Sequence, residues 1–337
     1  MKAKFMMAAM VILTFGFALT SQAAKWRVNN NPAIDADFLD IQTAHDNANA
    51  GDTLYIEGSG TPYGGPFAFY KKLVLIGPGY FLNENDSTQH NKAVASVGGL
   101  YLYSGSDGSV VSGLYLDAPW GNYAFHTNSV SNIIIKNCYL NTINAETVYL
   151  YYSNNIVVQQ CFVHGNSSNI YISAGSNNIL VQNNYFGPEW NAWAIYMEDG
   201  SSGDFYNNVI ALGHMQLFSG TFRNNILCQS GHGFSANNVN ITNNISSGEE
   251  FGCLNGNQCY VDMNNVFVCW NDCTGRTSDD KFMLLPTGVA IGAGYGGVDC
   301  GMFDGPAPYS LSGLTNIPAI WEMGVSGMNV IIKAKSH

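Results

Sequence analysis

Ile133-Ile134-Ile135-Lys136-Asn137-Cys138-Tyr139-Leu140 is the stretch on which the reading of this chain turns, because its pattern recurs. The pattern is apolar, any, apolar, polar, polar, Asn or Cys, any, apolar. Close copies stand at Ile156-Val157-Val158-Gln159-Gln160-Cys161-Phe162-Val163 and Ile179-Leu180-Val181-Gln182-Asn183-Asn184-Tyr185-Phe186. Weaker copies carry Ser112-Gly113, Asn207-Asn208, Asn224-Asn225, Asn243-Asn244 and Asn264-Asn265. The second members of these pairs, from Gly113 to Asn265, follow one another at steps of 25, 23, 23, 24, 17, 19 and 21 residues. A repeat of this length is one supersecondary unit of a stacked architecture.

Each copy alternates with period two, is rich in β-branched and aromatic residues, and resumes directly after its polar pair, so the chain bends there without reversing. One coil per repeat satisfies this pattern. Stacking coils at the strand spacing of roughly 4.8 Å places the second pair members above one another. Their amides can then bond to each other inside the bend. Cys138 and Cys161 share this position and are expected as stacked neighbours, either small buried residues replacing Asn in the ladder or a disulfide pair, the former favoured.

The chain has 337 residues. Met1-Lys2-Ala3-Lys4, the apolar run Phe5 to Leu19 and the small residues before Lys25 read as a secretory signal peptide over 1–24. The expected location is therefore secreted, meaning periplasmic, extracellular or cell-surface, with no membrane span. Without Lys2 and Lys4, 11 basic residues face 24 acidic ones, giving about −13. Such a charge excludes nucleic acid and anionic membranes as main partners and favours a neutral glycan over a polyanionic one. Eight Cys in an oxidising compartment permit disulfides without fixing their pairing. No spacing makes a zinc site, so no metal ligand is assigned. No cofactor is called for, a structural calcium ion being the one allowance.

Residues 37–49 show helical spacing, with Asp35 or Asp37 as N-cap and Gly51 as terminator, and would cover the open end of the first coil. His45 on that helix reads as a packed residue, not a catalyst. Ala50-Gly51-Asp52-Thr53-Leu54-Tyr55-Ile56 after this helix, Lys71-Lys72-Leu73-Val74-Leu75-Ile76-Gly77-Pro78-Gly79 and the Asn-Asn repeats together resemble secreted right-handed parallel β-helix proteins of the pectate-lyase-like superfamily. Gly292-Ala293-Gly294 and Gly297-Val298-Asp299-Cys300-Gly301-Met302-Phe303 resemble the segment that closes such bacterial chains.

The resemblance implies an all-β right-handed parallel β-helix (β-solenoid) with an N-terminal capping helix and a C-terminal irregular and strand cap. It gives one domain over 25–337: cap and first coils at 25–100, regular coils at 101–275, and a C-terminal cap at 276–337 ending in the strand Asn329 to Lys335. It also places the functional surface on the sheet upstream of each repeat phrase. Alternation turns Val148, Leu150, Ile170, Ile172, Ile195 and Met197 inward there. The outward columns are then Tyr149, Tyr171, Tyr196 and Gln216 in one, and His126, Tyr151, Ser173, Glu198 and Phe218 in the other, with Trp190 and Trp193 along an edge.

Exposed tyrosines flanked by tryptophans suit sugar rings, so His126, Tyr149, Tyr151, Tyr171, Tyr196, Trp190 and Trp193 are the expected ligand-binding residues. The same rings could instead only support neighbouring strands. For catalysis Glu198, Asp199 and His232 are the candidates, with Glu189 and Asp204 as nearby carboxylates. Gly231-His232-Gly233 matches a short motif of polygalacturonases, whose Asn-Thr-Asp and Arg-Ile-Lys motifs are absent. The expected function is glycan binding by a secreted or surface β-helix. A polysaccharide hydrolase or lyase using Glu198, and a structural or adhesive surface protein, stand as alternatives.

Overall fold

The computed structural model describes residues 23–85, 88–271, 273–315, 319–326 and 329–335. Apart from Ala23 and Ala24, the expected signal segment lies outside them. The chain forms a parallel β-solenoid, consistent with the right-handed β-helix that the resemblance implied.

Three ladders of parallel strands make its faces. Face A stacks eight levels: Phe67–Phe69, Leu100–Leu102, Phe125–Asn128, Val148–Tyr151, Ser168–Ile172, Trp193–Met197 and the first halves of His214–Arg223 and Phe234–Thr242. Face B follows each of these after a bend and includes Lys25–Val28, Ile134–Lys136, Ile156–Gln159, Ile179–Gln182 and Gly203–Tyr206. Face C is an eight-stranded ladder from Ser96–Val97 to Ile245–Ser246. Inward residues such as Val148, Leu150, Ile170, Ile172, Ile195 and Met197 are fully buried in one continuous core.

The polar pairs sit at the bend from face B to face C, and their two members do different work. The first adopts the left-handed conformation, with φ of 53° at Asn137, 55° at Gln160 and Asn183, 54° at Asn207, 59° at Asn224 and 56° at Asn243. Asn enters this region more readily than other side-chain-bearing residues. The second member points inward. Asn184, Asn208, Asn225, Asn244 and Asn257 form a ladder in which each Nδ2 donates to the next Oδ1 at 2.9–3.0 Å. Each of those oxygens also accepts the backbone N–H of the coil below, at 2.9–3.0 Å. Cys138 and Cys161 continue the column downward as free, buried thiols. Each Sγ lies 3.2 Å from the carbonyl two residues earlier, the same carbonyl position that Asn225 and Asn244 bond.

The register corrects both ends of the expected series. Tyr139 pairs with Tyr115, so Leu114 occupies the ladder position and Gly113 the left-handed corner, with φ 70°. At the far end Asn257 accepts from Asn244, whereas Asn265 lies in the 3-10 turn Met263–Asn265. The capping helix α1 is also shorter than expected, Ile41–Asn47. Its N-cap is Asp40, whose Oδ1 accepts the Thr43 N–H at 2.7 Å, because Asp37 instead accepts the Arg27 N–H at 2.7 Å. His45 on α1 is buried, and its Nε2 accepts the Tyr70 N–H at 3.1 Å.

Two disulfides close short loops, Cys253–Cys259 in the last coil and Cys269–Cys273 beyond it. The chain after Asp279 does more than close the end. It runs back along the B–C corner as a strap, held by the left-handed corner residues in reverse order. Asn243 Nδ2 donates to Ala293 O, Asn224 Oδ1 accepts from Tyr295 N, and Asn207 Nδ2 donates to Asp299 O. Asn183 Nδ2 reaches Met302 O, Gln160 Nε2 reaches Pro308 O, and Thr315 Oγ1 donates to Gly77 O. Ala319–Ser326 and Asn329–Lys335 then pair as an antiparallel hairpin.

Candidate functional site

On face A the first outward column is Ala68, Tyr101, His126, Tyr149, Tyr171, Tyr196, Gln216 and Ser235, as the strand register pairs them. This corrects the placement of His126. The offset between the Phe125–Asn128 and Val148–Tyr151 strands is 23 residues, so His126 stands below Tyr149 and not below Tyr151. Tyr151 pairs with Asn128 in the second column, where Ser173 and Glu198 follow.

The rings of the first column touch in series. Centroids lie 5.5 Å apart from Tyr101 to His126, 5.2 Å to Tyr149, 5.0 Å to Tyr171 and 4.9 Å to Tyr196. From Tyr196 the series leaves the column through Trp193 at 5.0 Å and His214 at 5.4 Å. It then passes through His232 at 5.5 Å to Trp190 at 4.9 Å. Six of the seven expected binding residues therefore belong to one aromatic track. The seventh, Tyr151, flanks it, 5.7 Å from Tyr149. His214 and His232 join it from the same edge as the tryptophans, while Tyr101 and Tyr123 belong to the track without having been singled out.

A second aromatic column in the same molecule shows what a purely supporting stack looks like. On face C, Tyr115, Tyr139, Phe162 and Tyr185 lie nearly parallel, at interplanar angles of 7°, 13° and 21°. Phe81 and Phe282 cover that stack. The rings on face A are instead tilted, by 86° between Tyr149 and Tyr171 and 35° between Tyr171 and Tyr196; these three are half-exposed, as are Tyr115 and Tyr139 on face C. Trp190 at the end of the track is 68% exposed.

His126 is enclosed by this arrangement, stacked on Tyr123 at 5.0 Å and only 7% exposed. Burial lowers its pKa to about 4, so the imidazole is neutral at ordinary pH. Its Nδ1 has no hydrogen-bond partner.

Glu198 is held by the track and serves it. Tyr171 Oη donates to Oε1 at 2.5 Å and the Ala174 N–H to Oε2 at 2.7 Å. These two bonds hold its carboxyl below the ordinary carboxylate value, the opposite of what a proton-donating acid requires. A depressed folded-state pKa gives stability that is present above the unfolded value of 4.5 and lost as pH falls through the folded value. The stability gap between wild type and Glu198→Gln, followed by urea unfolding, should therefore close on acidification below about pH 4.5. A gap that stays constant down to pH 3 would remove this role.

The three expected catalytic residues are not brought into contact with one another. Asp199 is exposed at the turn after Glu198, while His232 packs between His214 and Trp190. Asp204 belongs to face B, where its Oδ1 accepts the Thr221 N–H at 2.9 Å. His232 has a different carboxylate beside it, Glu250, which opposes the lowering of its pKa by burial and His214. Glu250 Oε1 accepts the Gly231 N–H at 2.9 Å, whereas Glu250 Oε2 and His232 Nε2 are buried without partners. His214 Nδ1 accepts the Gly233 N–H at 2.8 Å. No spacing pointed to Glu250, because it comes from the loop of the next coil.

The charge around the track is of one sign. Between Lys92 and Arg276 the only basic residues are Lys136 and Arg223, and both lie on face B strands. Arg223 is engaged there over the Tyr206 ring at 4.3 Å. Among the described residues, no group of three or more His, Cys, Asp or Glu is placed to hold a metal ion.

No family model matches the chain, and no curated protein matches it. Solved structures similar to it include an alginate lyase from Paenibacillus sp. str. FPU-7, at 14% identity and a TM-score of 0.38, over 66% of this chain and 92% of that one. Pectate lyase Pel9A gives 12% identity and a TM-score of 0.41 over 84% and 97%. The catalytic domain of an alpha-1,3-glucanase in complex with nigerose gives 13% and 0.27, over 61% of this chain and 44% of that one. These likenesses concern coil architecture alone.

Proposed function

We propose that this chain is a secreted or surface β-helix protein that binds a glycan lacking anionic groups along face A. The observation that carries the reading is the tilted aromatic track from Tyr101 to Trp190, which ends in the 68% exposed Trp190, set against the parallel stack on face C, whose Phe162 and Tyr185 are buried. Tilted, half-exposed rings offer faces to sugar C–H groups, and the neighbouring Gln216, Glu198 and Asn128 offer polar atoms to hydroxyls. An acidic face without Lys or Arg opposes a polyuronate. Two disulfides support an oxidising compartment. Among the described residues no helix is long and apolar enough to cross a membrane.

The test is retention of the purified protein on a panel of immobilised neutral and acidic polysaccharides, beside the triple variant Tyr149→Ala, Tyr171→Ala, Tyr196→Ala. A contribution of about 1 kcal/mol per ring makes the expected loss of affinity on the order of a hundredfold. Unchanged retention by a folded triple variant would return the tyrosines to strand support. A second reading, cleavage, is favoured by one observation, the unpartnered Glu250 Oε2 and His232 Nε2 at the end of the track. New chain ends released in the same incubations would establish it over binding alone.

A further inference from the structure

The sign and placement of charge on face A go further than a sugar surface requires. From residue 93 to residue 275 neither face A nor the turns on its two sides contain a single Lys or Arg. The same surface carries Glu146 and Glu189 at the turns entering face A, Glu198 and Asp199 at its other margin, and Glu250 beside His232. Glu146 stands two residues before the Val148–Tyr151 strand, at the level of Tyr149 in the middle of the track. Tyrosine faces attract cations through their quadrupole, and carboxylates spaced along them add charge of the complementary sign.

Three buried polar atoms at the track also await a partner, His126 Nδ1 among them. His232 is 93% buried, with Nε2 unpaired and its ring 4.9 Å from that of Trp190, and Glu250 Oε2 is buried and unpaired in the adjoining loop. Buried polar atoms are paired in the great majority of cases, so a pair left open at one place marks where a ligand's donors fit. A carboxylate oxygen can only accept, and an ammonium group can only donate.

We infer that the track takes a polysaccharide of amino sugars bearing free amino groups, whose ammonium groups meet Glu146, Glu189, Glu198 and Glu250 while its rings lie on the tyrosines. This rests on the glycan reading above and narrows it to one class. Binding is then electrostatically steered and weakens with salt, as contacts between exposed charges do.

The deciding measurement is calorimetric titration of the intact protein with three probes of equal length: a fully deacetylated β-linked glucosamine hexamer, its fully N-acetylated counterpart and a lysine hexapeptide. The deacetylated hexamer should bind about tenfold more tightly than the acetylated one at low salt. The ratio should fall toward one at about 1 M salt, where the Debye length is about 3 Å. Glu146→Gln with Glu250→Gln should also bring the ratio down toward one. Equal or tighter binding of the acetylated hexamer would overturn the amino-sugar assignment and leave glycan binding standing. A lysine peptide that binds as tightly as the deacetylated hexamer would overturn it in favour of a basic peptide. Absence of binding by both hexamers, together with loss of retention on the whole polysaccharide panel, would overturn the glycan reading itself.

Discussion

Asn225→Leu is expected to destabilise the protein by about 3–5 kcal/mol, although leucine has the same branching and the same number of side-chain heavy atoms as the residue it replaces. Asn225 is fully buried, and its amide has five polar contacts, the two N–H donors being shared among three acceptors. Nδ2 donates to Phe205 O and Arg223 O at 3.0 Å and to Asn244 Oδ1 at 3.0 Å. Oδ1 accepts from Asn208 N and Asn208 Nδ2, both at 2.9 Å. Leucine leaves the Asn208 donors and the Phe205 carbonyl without these partners in a dry interior, at about 1–3 kcal/mol for each unsatisfied group. Part of that cost is offset by burial of two more methyl groups. Urea unfolding of the variant measures the difference, and a loss below about 1 kcal/mol would show that the ladder contributes packing alone.

Asp279→Ala should release the strap at the cost of a similar amount of stability. The Asp279 carboxylate is buried and accepts the Ser312 N–H at 2.7 Å, the Tyr309 hydroxyl at 3.1 Å and the Thr277 hydroxyl at 2.9 Å. Tyr309 in turn meets the Tyr80 hydroxyl at 2.5 Å, which joins the strap to the first coils. Alanine strands these donors, so a loss of about 3–5 kcal/mol is expected, with faster proteolytic cutting between residues 290 and 315. Burial raises the Asp279 pKa, so its contribution to stability is complete below the unfolded value of 3.8 and declines as pH rises through the folded value. Asp279→Asn keeps an acceptor and cannot ionise. Its deficit relative to wild type should shrink as pH rises through that range. Proteolysis of the alanine variant at the wild-type rate would show that the corner amides hold the strap unaided.

The coil architecture was legible because Asn137, Asn183 and their counterparts must turn a left-handed corner while the next residue faces the core, and that pairing leaves a trace at each repeat. The trace failed where chemistry changed. At the first regular coil glycine takes the corner and leucine the ladder position, so Ser112-Gly113 imitated a pair that is in fact Gly113-Leu114. In the last coil Asn257 follows Asn244 after only 13 residues, within a disulfide-closed turn that has no flanking strand of the usual kind. Asn264-Asn265 copies the phrase and performs another task.

The tyrosine row was readable from alternation once the register was known, and His126 was misplaced by one column because loop length varies between coils. Glu250 could not be read at all, since a loop residue reaching a neighbouring coil carries no periodic signature. The segment Gly292 to Phe303 was recognisable as a closing segment, but its course along the corner was not. It is bound through its backbone carbonyls, at Ala293, Asp299, Met302 and Pro308, and these impose no side-chain pattern.

A solenoid without such a strap is a one-dimensional array in which each coil is coupled only to its neighbours, so its ends can fray one coil at a time. Here the last coils and the first are joined by a single covalent run that touches nearly every level between them. Peeling a terminal coil away therefore strains contacts along the whole length, roughly 34 Å for seven steps of strand spacing. The strap turns an open chain of nearest-neighbour couplings into a closed circuit. Melting should accordingly be a single all-or-none event in a molecule whose repeats alone would permit many partial states.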